Sequence, residues 1–423
     1  MTISNTDLSL NELADKTLRS FDQIQKSTNT TSINISSSPI VELVNKIIND
    51  AIFQNASDIH IEPTTTLITI RLRIDGVLNK YASLPISLHP LIISRLKILG
   101  ELNIVEKRQP QDGNITYTYK NKTIDIRIST IPTIYGEKMV MRLLNTSGKL
   151  LSLEELALSP LNYAAFNSLF HRSSGLILNT GPVNSGKTTT LYAALKELNT
   201  IEKNIVTIED PVEYKLNGIN QVQVNEKTGL TFEKGLRAML RQDPDILLIG
   251  EIRDSKTAEA AVRAALTGHL ILSTLHTKNA ASAVLRMLDL GIKPYLLAAT
   301  LSGCLSQRLL RRICPYCREK YLPATNSPAY KFMHKQKIPP DNLFHGRGCP
   351  KCNNSGYLGQ IAVQEIFSVD SDIKQAIYEN TNIDLLTQLA VKNGMRPLIS
   401  DAIDKVKQKQ TTIEEIIRIM NDY

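Results

Sequence analysis

The feature that most constrains this chain is a glycine-rich loop between a short apolar stretch and a helix-forming stretch. The loop reads Gly181-Pro-Val-Asn-Ser-Gly186-Lys187-Thr188; it follows the apolar Leu176–Leu178 and precedes TTLYAALKEL. A loop of this pattern between a strand and a helix is typical of phosphate-binding sites in α/β domains with a parallel sheet. The sequence therefore predicts such a domain, with a nucleotide phosphate held at the end of one strand.

Each residue type in the loop has a chemical reason. Glycines let backbone N–H groups surround phosphate oxygens, and the helix N-terminus adds positive potential. Lys187 is expected to reach the terminal phosphates, and the Thr188 hydroxyl is expected to bind Mg²⁺. The predicted nucleotide-binding residues are Gly181, Pro182, Val183, Asn184, Ser185, Gly186, Lys187, Thr188 and Thr189.

Composition places the chain among ordinary globular proteins. At about 100–200 residues per domain, its 423 residues suggest two to four domains, and 42% hydrophobic content allows a sizeable core. The net charge of +8 is mild and permits weak attraction to acidic surfaces. No apolar run approaches the roughly 18 residues of a membrane-spanning helix, and the start MTISNTDLSL does not resemble a signal peptide. These features predict a cytoplasmic protein.

Apolar periodicity divides the chain into a leader, a small lobe and a larger lobe. In the leader, residues 1–39, a capping box of Ser9 and Glu12 starts an amphipathic pattern, and the Ser, Thr and Asn of residues 27–38 are typical of a linker. The leader is thus either a docking helix on a tether or an unstructured segment. Residues 40–146 have the pattern of a small α+β domain, and residues 150–423 that of an α/β domain ending in helices over 368–423.

Within the small lobe, helical spacing is found at residues 40–52 and 91–102. Strand-like alternation is found at residues 67–74, 115–119, 123–129 and 139–144. In the third of these strands Ile124, Ile126 and Ile128 share one face, so Arg127 points to the other and is not a core residue.

Acidic residues follow two further apolar strands of the larger lobe. Glu251 comes directly after an apolar run that ends at Gly250, and Gly250 occupies the position where a metal-linked Asp would be usual. Glu251 is the candidate for polarising the attacking water. Glu209, Asp210 and Glu213 form the cluster available to hold Mg²⁺ through water. The alternative for this cluster is a solvated turn before a helix.

Four of the five cysteines form two pairs of the type Cys-x-x-Cys. Cys314 with Cys317 and Cys349 with Cys352 are separated by 31 residues, which is typical of a structural zinc site within a module spanning residues 304–360. Redox dithiols and free thiols are the alternatives. Cys304 is expected to be an inert buried thiol.

The runs IEDPVEY, LRAMLRQDPDILLIGEIRD and TGHLILSTLHT closely resemble the ATPases of type II secretion and type IV pilus assembly. Further similar blocks are ASDIHIEP, RLRIDGVL, EKRQPQDG, DIRISTIPTIYGEKMVMRLL and GMRPLISDAI, so the resemblance covers residues 40–420. It implies a small α+β (PAS-like) N-terminal domain hinged to a RecA-like P-loop motor domain, six subunits in a ring, and ATP bound where the lobes meet. Secretion and pilus-extension members carry the four-cysteine module, whereas retraction motors usually lack it.

The resemblance also implies roles for individual residues. Glu209, Asp210 and Glu213 match the family's Asp box, Glu251 its Walker B position, and His269 and His276 its His box. The arginines that match positions near the nucleotide are Arg127 and Arg142 in the small lobe and Arg237, Arg241 and Arg253 in the motor lobe. The alternatives are histidines satisfied within the core and arginines on solvated faces.

Together these features predict a cytoplasmic hexameric ATPase, with ATP, Mg²⁺ and Zn²⁺ as cofactors. It would drive assembly of a pilus or pseudopilus for type II secretion or type IV pilus extension, through an inner-membrane platform protein and peripheral to that membrane. A DNA-uptake motor of the same family, a zinc-containing nucleic-acid translocase and a scaffold that scarcely hydrolyses ATP are the alternatives. Nucleic acid is disfavoured, because single-strand tracks use aromatic platforms and this chain has no Trp and 5% aromatic residues.

Overall fold

The computed structural model describes residues 9–26, 39–144, 150–379 and 382–420, without the side chains of residues 21–26 and 342. The predicted linker, residues 27–38, lies outside the described residues. The chain forms two compact units, residues 1–148 and 149–423. None of the helices in these ranges is long and apolar enough to cross a membrane.

The first unit is an antiparallel sheet with helices on its apolar face. Its helices are α1 (Leu10–Lys26), α2 (Pro39–Phe53) and α3 (His89–Leu99). Its strands are β1 (Asp58–Pro63), β2 (Leu67–Ile74), β3 (Val77–Pro85), β4 (Gln111–Tyr119), β5 (Lys122–Thr133) and β6 (Gly136–Leu144). The six strands lie in the order β3-β2-β1-β6-β5-β4, so the unit is the α+β lobe that the alternation predicts.

Alternation along β5 shows how the sequence sets the two faces. Ile124, Ile126 and Ile128 are buried in the core, and Arg127 between them is exposed on the other face, as predicted. Sequence reasoning found β2 with its bounds, but it missed β1 and β3.

The leader helix α1 belongs to this unit and is not free on a tether. Leu13 and Ala14 are buried in the same core as Leu43 and Ile47 of α2. Burying a leucine side chain stabilises a fold by about 1.5–3 kcal/mol, which favours docking of α1 on its own lobe. A helix is one of the two alternatives that the sequence left open for the leader, and its packing was not predicted, because periodicity identifies an apolar face and not what covers it.

The second unit is built on a seven-stranded sheet. Its strands are β7 (Gly175–Thr180), β8 (Ile205–Glu209), β9 (Asn220–Gln223), β10 (Ile246–Ile249), β11 (Leu270–Leu275), β12 (Leu301–Ile313) and β15 (Tyr357–Ser368). They lie in the order β15-β12-β7-β11-β10-β8-β9. All neighbouring pairs are parallel except β12 with β15. The prediction of an α/β domain with a largely parallel sheet is confirmed.

Helices cover both faces of this sheet. They are α4 (Pro160–Phe170), α5 (Lys187–Leu198), α6 (Phe232–Met239), α7 (Ser255–Leu266), α8 (Ser282–Asp289), α9 (Pro294–Thr300), α10 (Pro328–Lys335), α11 (Ser371–Tyr378), α12 (Ile383–Lys392), α13 (Leu398–Lys407) and α14 (Ile413–Met420). Along β7, Leu176 and Leu178 enter one hydrophobic core while Ile177 enters the core on the opposite face. Because β7, β8, β10 and β11 are parallel, the segments that follow them meet at one edge of the sheet.

The predicted zinc module is smaller than residues 304–360. Residues 304–313 continue β12 and residues 357–360 begin β15, both within the main sheet. The segment between these strands carries the cysteines and a short ribbon of β13 (Arg318–Lys320) with β14 (Phe344–Gly346). Sequence reasoning extended the module into the sheet because the apolar run around Cys304 has no boundary signal.

Candidate functional site

The glycine-rich loop has the setting that its sequence predicts. It follows β7, which ends at Thr180, and α5 begins at Lys187. Gly186 has φ +85°, a left-handed conformation that favours glycine, and a Cβ there would lie 2.6 Å from the Gln307 side chain. A Cβ on Gly181 would lie 2.6 Å from the Gln307 carbonyl oxygen. Both glycines are therefore required by close packing against Gln307 as well as by backbone geometry.

The Lys187 side chain is folded into the loop. Its Nζ donates to the carbonyl oxygens of Gly181 and Pro182, each at 2.9 Å. Burial lowers the pKa of Lys187 to about 8; the nearby Glu251 carboxylate opposes this shift and Arg308 adds to it. A buried ammonium that is satisfied only by carbonyl oxygens is well suited to exchange them for phosphate oxygens.

Charged side chains from two other strand ends surround Lys187. Glu251 lies just beyond β10, with its side chain 15% exposed, and forms an ion pair with Arg253. His276 lies just beyond β11, with Nε2 3.7 Å from a Glu251 carboxylate oxygen. Burial and the Lys187 charge lower the pKa of His276, against the attraction of Glu251. The structure thus brings together Lys187, Glu251, Arg253 and His276.

Glu209, at the end of β8, is buried and fully engaged. Its carboxylate accepts a hydrogen bond from the Tyr192 hydroxyl, another from Thr207 Oγ1 at 2.6 Å and a third from Gln221 Nε2 at 3.3 Å. The alternative of a solvated turn is wrong for Glu209, because these donors hold the carboxylate inside the fold. Tyr192 was not singled out from the sequence, since its position on α5 carries only the signal of a core aromatic.

Asp210 and Glu213 follow Glu209 and are exposed. The charge of Asp210 lies near Arg253, whose pKa is raised mainly by a hydrogen bond to Glu251 and further by Asp210. Asp210 therefore faces the group formed around Glu251, and its role in holding Mg²⁺ stays a prediction.

His269 lies apart from the group of Lys187, Glu251, Arg253 and His276. It precedes β11, at the opposite end of that strand from His276, which is about 23 Å away at 3.3 Å per residue. Its Nδ1 lies 3.0 Å from the Ala264 carbonyl oxygen and 3.1 Å from Thr267 Oγ1. The structure therefore favours the alternative of a histidine satisfied by its own surroundings.

Arg237 and Arg241 lie on and just after α6. The Arg237 side chain is 69% exposed and pairs with Glu233 at 2.9 Å, while Arg241 donates to the Arg237 carbonyl at 2.8 Å. Their described contacts are thus with their own helix, and a role toward nucleotide stays a prediction.

Arg127 and Arg142, in the first unit, are directly opposite one another on β5 and β6. They line an open cleft of about 530 Å³ together with Asp58, Asp112 and Asn114. Arg142 Nε donates to the buried Asp58 carboxylate at 3.0 Å. The cleft thus combines two guanidinium groups with two carboxyl groups, and a role of Arg127 and Arg142 toward nucleotide stays a prediction.

The four cysteines form one cluster. Their sulfur atoms lie within 4.8 Å of one another, with Sγ to Sγ distances of 3.8 Å for Cys314 to Cys349, 3.8 Å for Cys317 to Cys352 and 3.7 Å for Cys349 to Cys352. A tetrahedron of sulfurs about 2.3 Å from zinc has edges of about 3.8 Å. The donor set and its spacing therefore fit zinc.

Backbone donors support the same cluster. The N–H groups of Cys349 and Gly356 donate to Cys352 Sγ at 3.2 and 3.3 Å. Burial acts to raise the pKa of the Cys352 thiol, but these hydrogen bonds outweigh it and lower that pKa to about 7. Hydrogen bonds of this kind stabilise a thiolate, which is the form that binds a metal.

Five basic residues lie near the first cysteine pair in sequence, and a solvated face is the expectation for such a cluster: Arg308, Arg311, Arg312, Arg318 and Lys320. Arg308 is buried, and its guanidinium donates to the carbonyl oxygens of Gln307 and Lys278. Arg311 pairs with the buried Glu415 at 2.6 Å and stacks on Tyr357, with its Cζ 4.0 Å from the ring centroid. A solvated face therefore describes Arg312, Arg318 and Lys320, which are exposed, and not Arg308 or Arg311.

The family described as type II/IV secretion system protein matches residues 34–418. The type II secretion system ATPase E of Vibrio cholerae is 43% identical over 384 residues, which is 91% of this chain and 76% of that protein. The type IV pilus assembly ATPase PilB of Thermus thermophilus is 43% identical over 91% of this chain and 43% of its own length.

Solved structures agree with the fold. The pilus retraction motor PilT with bound ADP has a TM-score of 0.58 and 26% identity, covering 88% of this chain and 96% of that one. The ATPase DotB of Legionella pneumophila has a TM-score of 0.64 over 94% of this chain and 98% of its own, but at 19% identity it supports the fold alone. The resemblance drawn from the motifs is confirmed, and the chain belongs to the family of type II/IV secretion system proteins.

Proposed function

We propose that this protein is an ATPase that powers the assembly of a pilus or pseudopilus, in type II secretion or type IV pilus extension. The proposal rests on one observation. The glycine-rich loop with its buried Lys187 lies at the same edge of the parallel sheet as Glu251 and His276, and the Glu251 charge acts on Lys187. The names of its relatives, a secretion ATPase and a pilus assembly ATPase, support the same activity.

In the proposed site the second unit is a RecA-like motor that binds Mg-ATP on residues 181–189. Lys187 leaves the carbonyl oxygens of Gly181 and Pro182 for the terminal phosphates, and the N-terminus of α5 offers backbone N–H groups. Thr188 and, through water, the acidic cluster of Glu209, Asp210 and Glu213 would hold Mg²⁺. Magnesium supplies neutralisation of phosphate charge when bound.

Hydrolysis needs a positioned water and cations around the transferred phosphoryl group. Glu251 would accept a proton from that water, and Arg253 and His276, which both contact its carboxylate, would orient it. Arg237 and Arg241 of the motor, with Arg127 and Arg142 of a PAS-like small lobe, would supply cations toward the terminal phosphate. Such a motor would work as a homo-hexamer on the cytoplasmic face of the inner membrane, through a platform protein.

Zinc held by Cys314, Cys317, Cys349 and Cys352 would serve structure in this motor. Four protein ligands leave no open coordination position, so the ion supplies a cross-link and no catalytic water. The cysteines directly follow β12 and precede β15, and the cross-link thus holds the ends of two sheet strands together. The presence of this module favours assembly over retraction within the family.

Phosphate release from Mg-ATP by the purified chain tests the enzymatic proposal. Glu251→Gln should lower kcat by about a hundredfold or more while ADP still binds, because the amide accepts no proton. Glu259→Gln is the matched control, since Glu259 is exposed on α7 and the substitution should leave kcat unchanged. Unchanged turnover in Glu251→Gln would refute the assigned chemistry, and a wild type that binds ADP without hydrolysing ATP would favour a nucleotide-dependent scaffold.

The cellular role is tested by replacing the gene with a copy that encodes the Lys187→Met protein. Loss of surface pili or of secreted enzymes is the expected result, because a motor without its phosphate-binding ammonium cannot use ATP. Loss of DNA uptake alone would instead favour a DNA-uptake motor. Stimulation of the purified ATPase by DNA would favour a nucleic-acid translocase and contradict the assembly proposal.

A further inference from the structure

A buried glutamine lies directly behind the phosphate-binding loop. Gln307 is 2% exposed and belongs to β12, which runs parallel to β7 with Ser306 opposite Thr180. Its side chain makes three hydrogen bonds. Nε2 donates to the Ser185 carbonyl at 2.7 Å, and Oε1 accepts from the Thr190 hydroxyl at 2.7 Å and from Gln364 Nε2 at 3.2 Å.

These partners fix the orientation of the Gln307 amide. The Ser185 carbonyl presents only an acceptor to one end of the amide, whereas the Thr190 hydroxyl and the Gln364 amide, at the other end, can each offer a donor or an acceptor. A flipped amide would place its oxygen 2.7 Å from the Ser185 carbonyl oxygen, with no hydrogen between the two acceptors. The assigned orientation is therefore the one that the network requires, with Nε2 toward the loop.

The contact with Ser185 bears on the direction of one backbone N–H. The Ser185 carbonyl and the Gly186 N–H belong to the same peptide plane, and in a trans peptide they point in opposite directions. Because Gln307 holds the carbonyl behind the loop, the Gly186 N–H is directed away from Gln307, toward the side of the loop where phosphate would lie. Gly186 is also held at φ +85°, with no room for a side chain against Gln307.

The contact with Thr190 links Gln307 to the helix that follows the loop. Thr190 is fully buried on the first turn of α5, and its backbone N–H donates to the Gly186 carbonyl at 3.0 Å. Gln307 thus contacts both the last part of the loop and the helix that follows it. One side chain from a different strand links the two elements whose N–H groups would surround the phosphates.

We propose that Gln307 is a positioning residue for nucleotide binding, which keeps the peptide between Ser185 and Gly186 in its phosphate-binding orientation. This inference rests on the proposed nucleotide site. Gln307 acts through the loop and touches no reacting atom. A strand of a central sheet normally places an apolar residue at such a buried position, so the glutamine is explained by the carbonyl that it holds.

The competing account is that Gln307 only completes a buried polar layer. Gln364 provides the matched control, because it is fully buried on the neighbouring β15 and its side chain donates to Gln307 but to no atom of the loop. Methionine has nearly the shape of glutamine and makes no comparable hydrogen bonds. Gln307→Met and Gln364→Met therefore remove side-chain amides from the same layer, and only the first removes the contact with the loop.

The experiment measures three quantities for the wild type, Gln307→Met, Gln307→Glu and Gln364→Met. They are the dissociation constant for a fluorescent ADP, the kcat and KM for Mg-ATP, and the thermal unfolding midpoint without nucleotide. Gln307→Glu keeps the oxygen that accepts from Thr190 and Gln364 but loses the donor to Ser185. We expect both Gln307 variants to bind ADP about tenfold to a hundredfold more weakly, the range for an unpaired buried acceptor.

The remaining readouts separate positioning from packing. We expect KM to rise with the dissociation constant while kcat stays within about threefold, because Glu251 and its partners are untouched. Gln364→Met should lower the unfolding midpoint about as much as Gln307→Met and leave ADP affinity within about threefold. Equal ADP affinity of the wild type and both Gln307 variants would overturn the inference alone, whereas a wild type that binds no ADP would overturn the proposed site as well.

Discussion

Nucleotide affinity should fall as pH rises from 7 to 9, because the Lys187 ammonium is easily deprotonated before nucleotide binds. Burial lowers its pKa to about 8 in the free protein. Bound phosphates favour the charged ammonium, so the pKa in the complex lies above that in the free protein. Above pH 8, binding must therefore take up a proton, and the affinity decreases with increasing pH.

The size of the effect follows from the same pKa of about 8. The neutral fraction of Lys187 rises from about a tenth at pH 7 to about nine tenths at pH 9, so the dissociation constant should rise about tenfold. Calorimetry in two buffers of different ionisation enthalpy should show uptake of nearly one proton per ADP at pH 9.

Two variants on the same helix isolate the lysine responsible. Lys196→Met removes an exposed cation of α5 and should keep both the affinity and the slope of the wild type. Lys187→Met should bind ADP weakly at all pH values and without the slope. A wild-type dissociation constant that is flat between pH 7 and pH 9 would contradict the lowered pKa of Lys187, and wild-type affinity in Lys187→Met would refute its assignment as the phosphate ligand.

Three further substitutions test buried contacts and the cysteine cluster of the second unit. Glu415→Gln should lower the free energy of unfolding by about 3–5 kcal/mol, because two guanidinium groups donate to this buried carboxylate. Denaturant unfolding measures this loss. Glu414→Gln, at an exposed residue, is the control and should stay within about 1 kcal/mol of the wild type. Cys352→Ser should lower bound zinc, measured by metal analysis, from one per chain toward none, and zinc-free wild type would refute the site. Tyr192→Phe should cost about 1–2 kcal/mol, since it removes a buried donor to Glu209, and an unchanged unfolding midpoint would contradict that contact.

Features set by local spacing could be predicted from the sequence. The loop of residues 181–188 needs only a strand before it and a helix after it, and both are present. The two cysteine pairs needed only a turn that folds back, and the sulfur spacing fits a tetrahedral ion. In β5 a period of two residues was enough to place Arg127 opposite the core.

Features set by distant parts of the chain could not be predicted. Gln307 contacts Ser185 across 122 positions of sequence, and neither residue carries a local signal of the other. Tyr192 binds Glu209 across 17 positions and two elements. The family resemblance assigns both His269 and His276 to the His box, whereas the pairing of β11 with β7 places only His276 at the loop end of the sheet.

A structure of the Glu251→Gln protein with Mg-ATP tests the central claim most directly. The account predicts the β- and γ-phosphates within the loop of residues 181–188, with Lys187 Nζ moved from the carbonyl oxygens of Gly181 and Pro182 onto phosphate oxygens. It also predicts a water between the γ-phosphate and the residue at position 251. Nucleotide bound elsewhere, or Lys187 still held by the two carbonyl oxygens beside a bound triphosphate, would contradict it.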